Sequence, residues 1–138
     1  MKVFLDANVL VTVLNKEYPL FNHASRLLSL GKGFTLFTSP ICLAIAFYFA
    51  EKKHGSELAK KKISLLAEHI EIAACGKNEV VQAAKDPKVL DFEDGMEYYS
   101  ALAAACDCIV TEDTGDFYFS NIEVMEVKSF LVKYVLKS

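Results

Sequence analysis

Hydrophobic positions in this chain switch between two spacings, and the alternation predicts its elements. Val3-Phe4-Leu5 is a short β-rich run that stops at Asp6, and helical periodicity follows over residues 9–15 until Tyr18-Pro19 breaks it. Leu20, Phe21, Ala24, Leu27 and Leu28 line one face of a second amphipathic stretch over residues 20–30, which Gly31 and Gly33 close. Residues 34–38 predict another strand. Ser39 as N-cap and Pro40 at the first helical position then open a helix that runs to about residue 53 and stops near Gly55. It is apolar nearly all round over residues 41–50 and is expected to lie buried.

Residues 56–68 read as an amphipathic helix with Lys60, Lys61 and Lys62 on its basic side, and residues 69–73 as a short strand. A short helix over residues 78–85 ends at Asp86-Pro87. Asp91-Phe92-Glu93-Asp94 opens a longer helix lasting to about residue 105. A strand over residues 108–111, a loop over 112–120, a last strand over 122–127 and a closing helix over 129–136 complete the chain. Strands alternating with helices give βαβ units. The expected fold is a single α/β domain over residues 1–138, with a largely parallel sheet of about five strands and helices on both faces. No linker, repeat or low-complexity stretch interrupts it.

Composition sharpens this picture only in places. A hydrophobic fraction of 53% is enough for a full core without a metal or disulfide to hold it. The four cysteines, at positions 42, 75, 106 and 108, form no CxxC and sit in apolar runs, so they read as reduced core residues. The longest apolar stretch, residues 40–50, is short of the about 20 residues that span a bilayer, and no signal-peptide pattern is present; a cytoplasmic protein without membrane contact is expected. The formal charge of −3 and the single arginine, Arg26, are unusual for a phosphate binder. A carboxylate cluster built around divalent cations is also acidic until the ions reverse its field, so net charge does not exclude nucleic acid.

In open parallel sheets ligands bind beyond the carboxyl ends of the strands. Asp6 ends the first strand, Asp113 and Asp116 follow the strand at 108–111, and Asp91, Glu93 and Asp94 begin a helix. Asp6 is the hardest to explain structurally, because it borders two apolar runs. Asp91 also suits an N-cap, Glu93 and Asp94 a first helical turn, and Asp113 and Asp116 a turn around Gly115. Brought together, these acids repel one another unless a cation sits among them. Mg²⁺ suits oxygen ligands and needs only one or two direct carboxylates. Nothing resembling a Ser-His-Asp or Cys-His arrangement competes.

These residues resemble the PIN-domain family, which includes the VapC-type toxins of bacterial toxin–antitoxin pairs. Leu5-Asp6-Ala7-Asn8-Val9-Leu10 is similar to its opening strand–Asp–helix motif. Asp91-Phe92-Glu93-Asp94 before an Ala-rich helix resembles its central acidic helix, and the run from Ile109 through Thr111, Asp113 and Asp116 to Phe117 its late strand-Thr-Asp-Phe motif. The resemblance spans essentially the whole chain. It implies that Asp6, Asp94 and Asp116 bind Mg²⁺ or Mn²⁺, with Asp113 auxiliary, that Asn8, Ser39 and Thr111 orient ligands or water, and that a metal-activated water cleaves RNA. It also implies an antitoxin partner and a homodimer as candidates.

One departure stands out. Ile45 occupies the position where the family often carries a Glu, and Glu93 is a candidate for the missing charge; Glu51, six residues on, faces another side of the helix. The alternative reading is therefore a catalytically silent PIN fold that only binds protein. A receiver-like signalling domain ranks below both, for want of an Asp pair after the first strand. Arg26, Lys52 and Lys53 are the candidate RNA contacts, set against an ordinary solvated helix face. His54 reads as a surface residue at a helix end. Tyr98 and Tyr99 are expected in the core, whereas Phe117, Tyr118 and Phe119 are candidates to stack bases or fill a partner groove.

Overall fold

A computed structural model describes residues 1–136. The chain begins with β1 (Lys2–Leu5), which runs through Asp6 directly into α1 (Ala7–Leu14), followed by α2 (Phe21–Leu28) and β2 (Thr35–Thr38). Next come α3 (Pro40–His54), α4 (Ser56–Ala67), β3 (Glu71–Ile72), α5 (Lys77–Lys85) and α6 (Phe92–Ala103). After β4 (Cys108–Val110), a 3-10 turn (Thr114–Phe117) leads to β5 (Glu123–Met125). The helix α7 (Val127–Phe130) then continues as a π-helical turn (Leu131–Val135).

All strand pairs are parallel and the sheet order is β3-β2-β1-β4-β5, as the alternation of spacings predicts. The chain moves outward from β1 to β3 and then returns to β4, so right-handed crossovers put α1–α4 on one face and the α5–α6 return on the other. Covered on both sides, the central strands lose their alternation. Val3, Phe4 and Leu5 of β1 and all of β4 are fully buried. The reversal of strand order falls between β1 and β4, which makes their carboxyl ends the crevice of the sheet. Among the described residues, no helix is long and apolar enough to cross a membrane.

The start signals are seen as hydrogen bonds. Ser39 Oγ accepts from the Cys42 N–H at 3.2 Å with Pro40 at the head of α3, and Asp91 Oδ1 accepts from the Asp94 N–H at 3.1 Å. Gly55, at φ 84° and ψ 161°, adopts a conformation open mainly to glycine and lets α4 begin at once. The third strand shrinks to two exposed residues at the sheet edge, where Ala73 N–H still reaches the Thr38 carbonyl.

Two expectations are corrected. Helix α3 is not buried all round. Only Cys42, Ala46 and Ala50, on one stripe spaced by four, are fully buried, and their small side chains let α3 pack closely on α1 and α4, with Leu43, Ile45 and Phe47 half-buried beside them. Tyr48 and Phe49 stay 53% and 45% exposed. Of the three aromatics after β4, Phe117 and Phe119 are core residues, Phe119 set edgewise on Tyr98 and Phe117 tilted against Phe119, and neither can receive a base. The 3-10 turn directs them inward on either side of Tyr118, which alone stays exposed and donates its hydroxyl to the Lys88 carbonyl at 2.5 Å. All four cysteines are free, with Cys42, Cys106 and Cys108 buried. His54 sits at the end of α3, but its Nε2 is enclosed without a partner.

Candidate metal centre

The crevice beyond β1 and β4 is an open cleft of about 490 Å³. Its wall carries Asp6, Glu17, Glu93, Asp94, Glu97, Glu112, Asp113 and Asp116 and, among the described residues, no Lys or Arg. Val11, Leu20, Ile45 and Phe49 supply its apolar side. Three acidic segments far apart in sequence therefore meet: Asp6 after β1, Asp94 on the first turn of α6, and Asp116 in the 3-10 turn after β4.

Asp6 is placed by its neighbours on every side. Its backbone N–H extends the ladder to the Val110 carbonyl at 3.0 Å, which fixes it level with the end of β4. Being the N-cap of α1, its Oδ1 accepts from the Ala7 N–H at 2.7 Å, and its Oδ2 accepts from the Thr111 hydroxyl at 2.8 Å. Thr111, fully buried beneath the cleft floor, also accepts from Asn8 Nδ2 at 3.0 Å and from the Asp113 N–H at 3.0 Å. Asn8 in turn donates to Asp113 Oδ2 at 3.1 Å and accepts from the Glu112 N–H at 3.2 Å. Asn8 and Thr111 thus form a polar clamp that locks the loop after β4 onto the start of α1. Ser39 is enclosed at the head of α3 behind the cleft rather than in its wall.

The cations expected to guide RNA lie elsewhere. Lys53 Nζ is bound to the Asn15 carbonyl at 2.5 Å, and Lys52 Nζ sits 4.7 Å from the centre of the Tyr48 ring. Arg26 is exposed on α2. None of the three lines the cleft.

Electrostatics record the crowding of acids. Burial raises the Asp94 carboxyl from its ordinary 3.8 to about 7, helped by repulsion from Asp91, Asp116, Asp6 and Glu93. Partial loss of water at the cleft wall, then Asp113, Asp6 and Asp91, push Asp116 upward too. Glu93 is raised by partial burial and by Asp91 and Asp6. The most perturbed carboxyl of the cluster is one that sequence reasoning passed over. Glu97 is only 1% exposed and is pushed up to about 11, first by burial and then by Asp6 beside it. Its Oε1 accepts from Cys42 Sγ at 2.9 Å, and the Cys42 thiol is itself raised well above its ordinary value by burial and by Glu97 and Asp6. Carboxylate oxygens of Asp6 and Glu97 and the Cys42 sulfur lie within 4.8 Å of one another, as do oxygens of Glu93, Asp94 and Glu97. Its signal was present: Glu97 follows Asp94 by three positions, one turn along the same helix face.

The donor set is rich in oxygen and held by a hydrogen-bonded frame, which fits a hard divalent cation such as Mg²⁺ or Mn²⁺. Comparison with known proteins bears on the family and the fold. The family model described as PIN domain matches residues 2–115, ending one residue before Asp116. Among solved structures, VapBC-1 from nontypeable Haemophilus influenzae is similar at TM-score 0.70 and 18% identity, covering 93% of this chain and 99% of that one. VapBC2 from Rickettsia felis, bound to a DNA fragment from their promoter, has TM-score 0.69 and 20% identity over 91% of this chain and 98% of that one. VapC20 from Mycobacterium tuberculosis, a sarcin-ricin loop cleaving toxin, has TM-score 0.69 and 16% identity over 87% and 95%. At these identities the likeness establishes a shared fold. No curated protein matches the chain.

Proposed function

The chain belongs to the PIN-domain family, and from that premise we propose that it is a metal-dependent endoribonuclease serving as the toxin of a toxin–antitoxin pair. In this reading Asp6, Asp94 and Asp116 hold Mg²⁺ or Mn²⁺, with Asp113 as an auxiliary acid. The observation that carries it is the meeting of these acids in one open cleft whose wall contains no cation. A bound divalent ion supplies Lewis acidity at a phosphate and makes water a better nucleophile. The protein's own share is positional. Thr111 and the Ala7 N–H hold both oxygens of Asp6, so that carboxylate cannot swing away. Asn8 holds Asp113 at the rim. With eight acids and no base around it, the cleft repels phosphate until a cation enters, so ordered binding, ion before RNA, is expected.

An antitoxin partner is supported by the exposed apolar residues Tyr48, Phe49 and Leu58 on α3 and α4, and by the toxin fold itself. The test is metal-dependent cleavage of single-stranded RNA by the purified protein beside Asp6→Asn and Asp94→Asn. Cleavage lost on chelation and in both variants is expected; activity unchanged in both ends the nuclease reading. A catalytically silent protein-binding module is the second reading, and it rests on Ile45, which lines the cleft without offering an oxygen. A well-folded protein that binds no Mn²⁺ favours that module.

A further inference from the structure

Glu97 is a carboxyl group buried where the fold supplies no positively charged partner. It lies on the inward face of α6, 1% exposed, and the donor that reaches it is a neutral thiol, Cys42 Sγ, at 2.9 Å from Oε1. Among the described residues no Lys, Arg or His lines the cleft in front of it, and the other group within hydrogen-bonding reach of its carboxyl is a second acid, Asp6. An ionised carboxylate buried alone is expensive, so such a group stays protonated or meets a cation. Glu97 is also the residue shared by two clusters: its oxygens lie within 4.8 Å of Asp6 and Cys42 on one side and of Glu93 and Asp94 on the other. It is therefore the bridge between the acid of β1 and the acids of α6. The opposite wall, from α3, offers Ile45 and Phe49 and no oxygen. Each helix-borne carboxylate among those two clusters comes from α6, with Asp6 as N-cap between the strand and α1.

We infer that Glu97 is a direct ligand of the divalent cation, shared with Asp6, and that Cys42 is its positioning residue. The thiol holds Oε1 and so aims the remaining oxygen of a carboxylate that is otherwise free to rotate on a long side chain. α6 thereby supplies from its second turn the charge that the apolar wall of α3 does not provide. The inference rests on the nuclease reading for the presence of an ion, but it concerns binding rather than cleavage.

The experiment is Mn²⁺ titration of the full chain by calorimetry, with thermal melts in chelator and in saturating Mn²⁺. It compares wild type with Glu97→Gln, Glu97→Asp, Cys42→Val and Cys42→Ser. Glu97→Gln keeps the shape and removes the ability to ionise. It is expected to melt no lower than wild type in chelator, to lose the Mn²⁺-induced rise in Tm, and to bind Mn²⁺ more weakly by over the roughly 10- to 100-fold typical of losing an outer-shell partner. Cys42→Val, which removes the donor, is expected within that range, and Cys42→Ser, which restores a donor, close to wild type. A purely structural Glu97 leaves Mn²⁺ affinity unmoved in every variant, and that result overturns the assignment while the nuclease reading stands. Should Glu97→Gln not fold, Glu97→Asp decides: weakened binding supports a ligand, and wild-type binding overturns it. A wild-type protein that binds no Mn²⁺ overturns both readings together.

Discussion

Asp94→Asn separates an acid gathered for a cation from an acid that only decorates a helix start, because the two roles predict opposite signs. Asp94 lies in the first turn of α6, where the helix dipole favours a negative charge by about 0.3–1 kcal/mol. If that were its whole role, neutralising it would destabilise the protein by about this amount at neutral pH. Against the dipole stands repulsion: loss of water and the neighbouring Asp91, Asp116, Asp6 and Glu93 raise its carboxyl from 3.8 to about 7. At about 1.4 kcal/mol for each decade, the full displacement corresponds to about 4 kcal/mol. Asp94 is only half-buried at the cleft and solvent screens much of this, so about 1–2 kcal/mol is the expected remainder. Repulsion wins.

The sign with pH follows from the raised folded-state value. Between about 4 and 7 the folded protein binds more protons at this site than the unfolded chain, so stability falls as pH rises through that window and the penalty is complete above it. In chelator at pH 8, Asp94→Asn should therefore melt higher than wild type by about 3–10 °C, since 1 kcal/mol moves Tm by roughly 3–5 °C at this size. At pH 4 the gap should close. Saturating Mn²⁺ should reverse the order, because only wild type keeps the ligand and gains binding energy from it. Differential scanning calorimetry at the two pH values, with and without Mn²⁺, reads all of this. A lower Tm for the variant at pH 8 in chelator refutes the reasoning and returns Asp94 to a helix-start role.

Other perturbations test the frame and the approach to it. Thr111→Val removes the donor to Asp6, takes one acceptor from Asn8 Nδ2 and strands the Asp113 N–H, so urea unfolding should show a loss of about 1–3 kcal/mol and calorimetry a weaker Mn²⁺ affinity; unchanged affinity would show that the clamp does not position Asp6. Gly95→Ala gains about 1 kcal/mol of helix propensity but brings a Cβ to 2.5 Å from Val89 Cγ1 and 3.1 Å from Ala83 Cβ, an overpacking worth about 1–3 kcal/mol. Net destabilisation by chemical denaturation is expected, and a stabilised variant would mean that α5 and α6 yield easily. Changing Lys52 and Lys53 together to Gln should lower the log–log salt slope of single-stranded RNA binding by about 1.4, with cleavage at saturating RNA unchanged; an unaltered slope removes both from the RNA path.

The frame was legible because its signals are local. Asp6 interrupts an apolar run at the point where strand becomes helix, and Ser39-Pro40 and Asp91 announce their helices within three residues of the groups they cap. The parallel sheet follows from the alternation of element types. Contacts between distant segments were harder to read. Glu97 was passed over because its partners are Cys42, 55 positions away, and Asp6, and a carboxylate on an Ala-rich helix looks like a solvated position until α3 is laid across it. Phe117 and Phe119 differ from Tyr118 only in which way a 3-10 turn points them, and a hydrophobicity pattern does not encode that.

Helix α3 shows how the same blindness matters for chemistry. Residues 41–50 carry no periodicity of polarity, so burial on all sides is the natural expectation; what orients the helix is size, with Cys42, Ala46 and Ala50 admitting neighbours and the large Tyr48 and Phe49 turned outward. That orientation brings Ile45 and Phe49 to the cleft and makes its α3 side apolar, facing the acids that follow β1, begin α6 and lie in the loop after β4. A cation held from the acidic side alone keeps coordination positions open toward the apolar wall. Mg²⁺ retains water readily in such positions and yields them to a phosphate. A ring of ligands on every side would instead make a closed structural site. On the proposed reading, then, Ile45 counts against catalysis only if the α6 carboxylates cannot hold the ion without help, and the affinity of wild-type protein for Mn²⁺ is the quantity on which that turns.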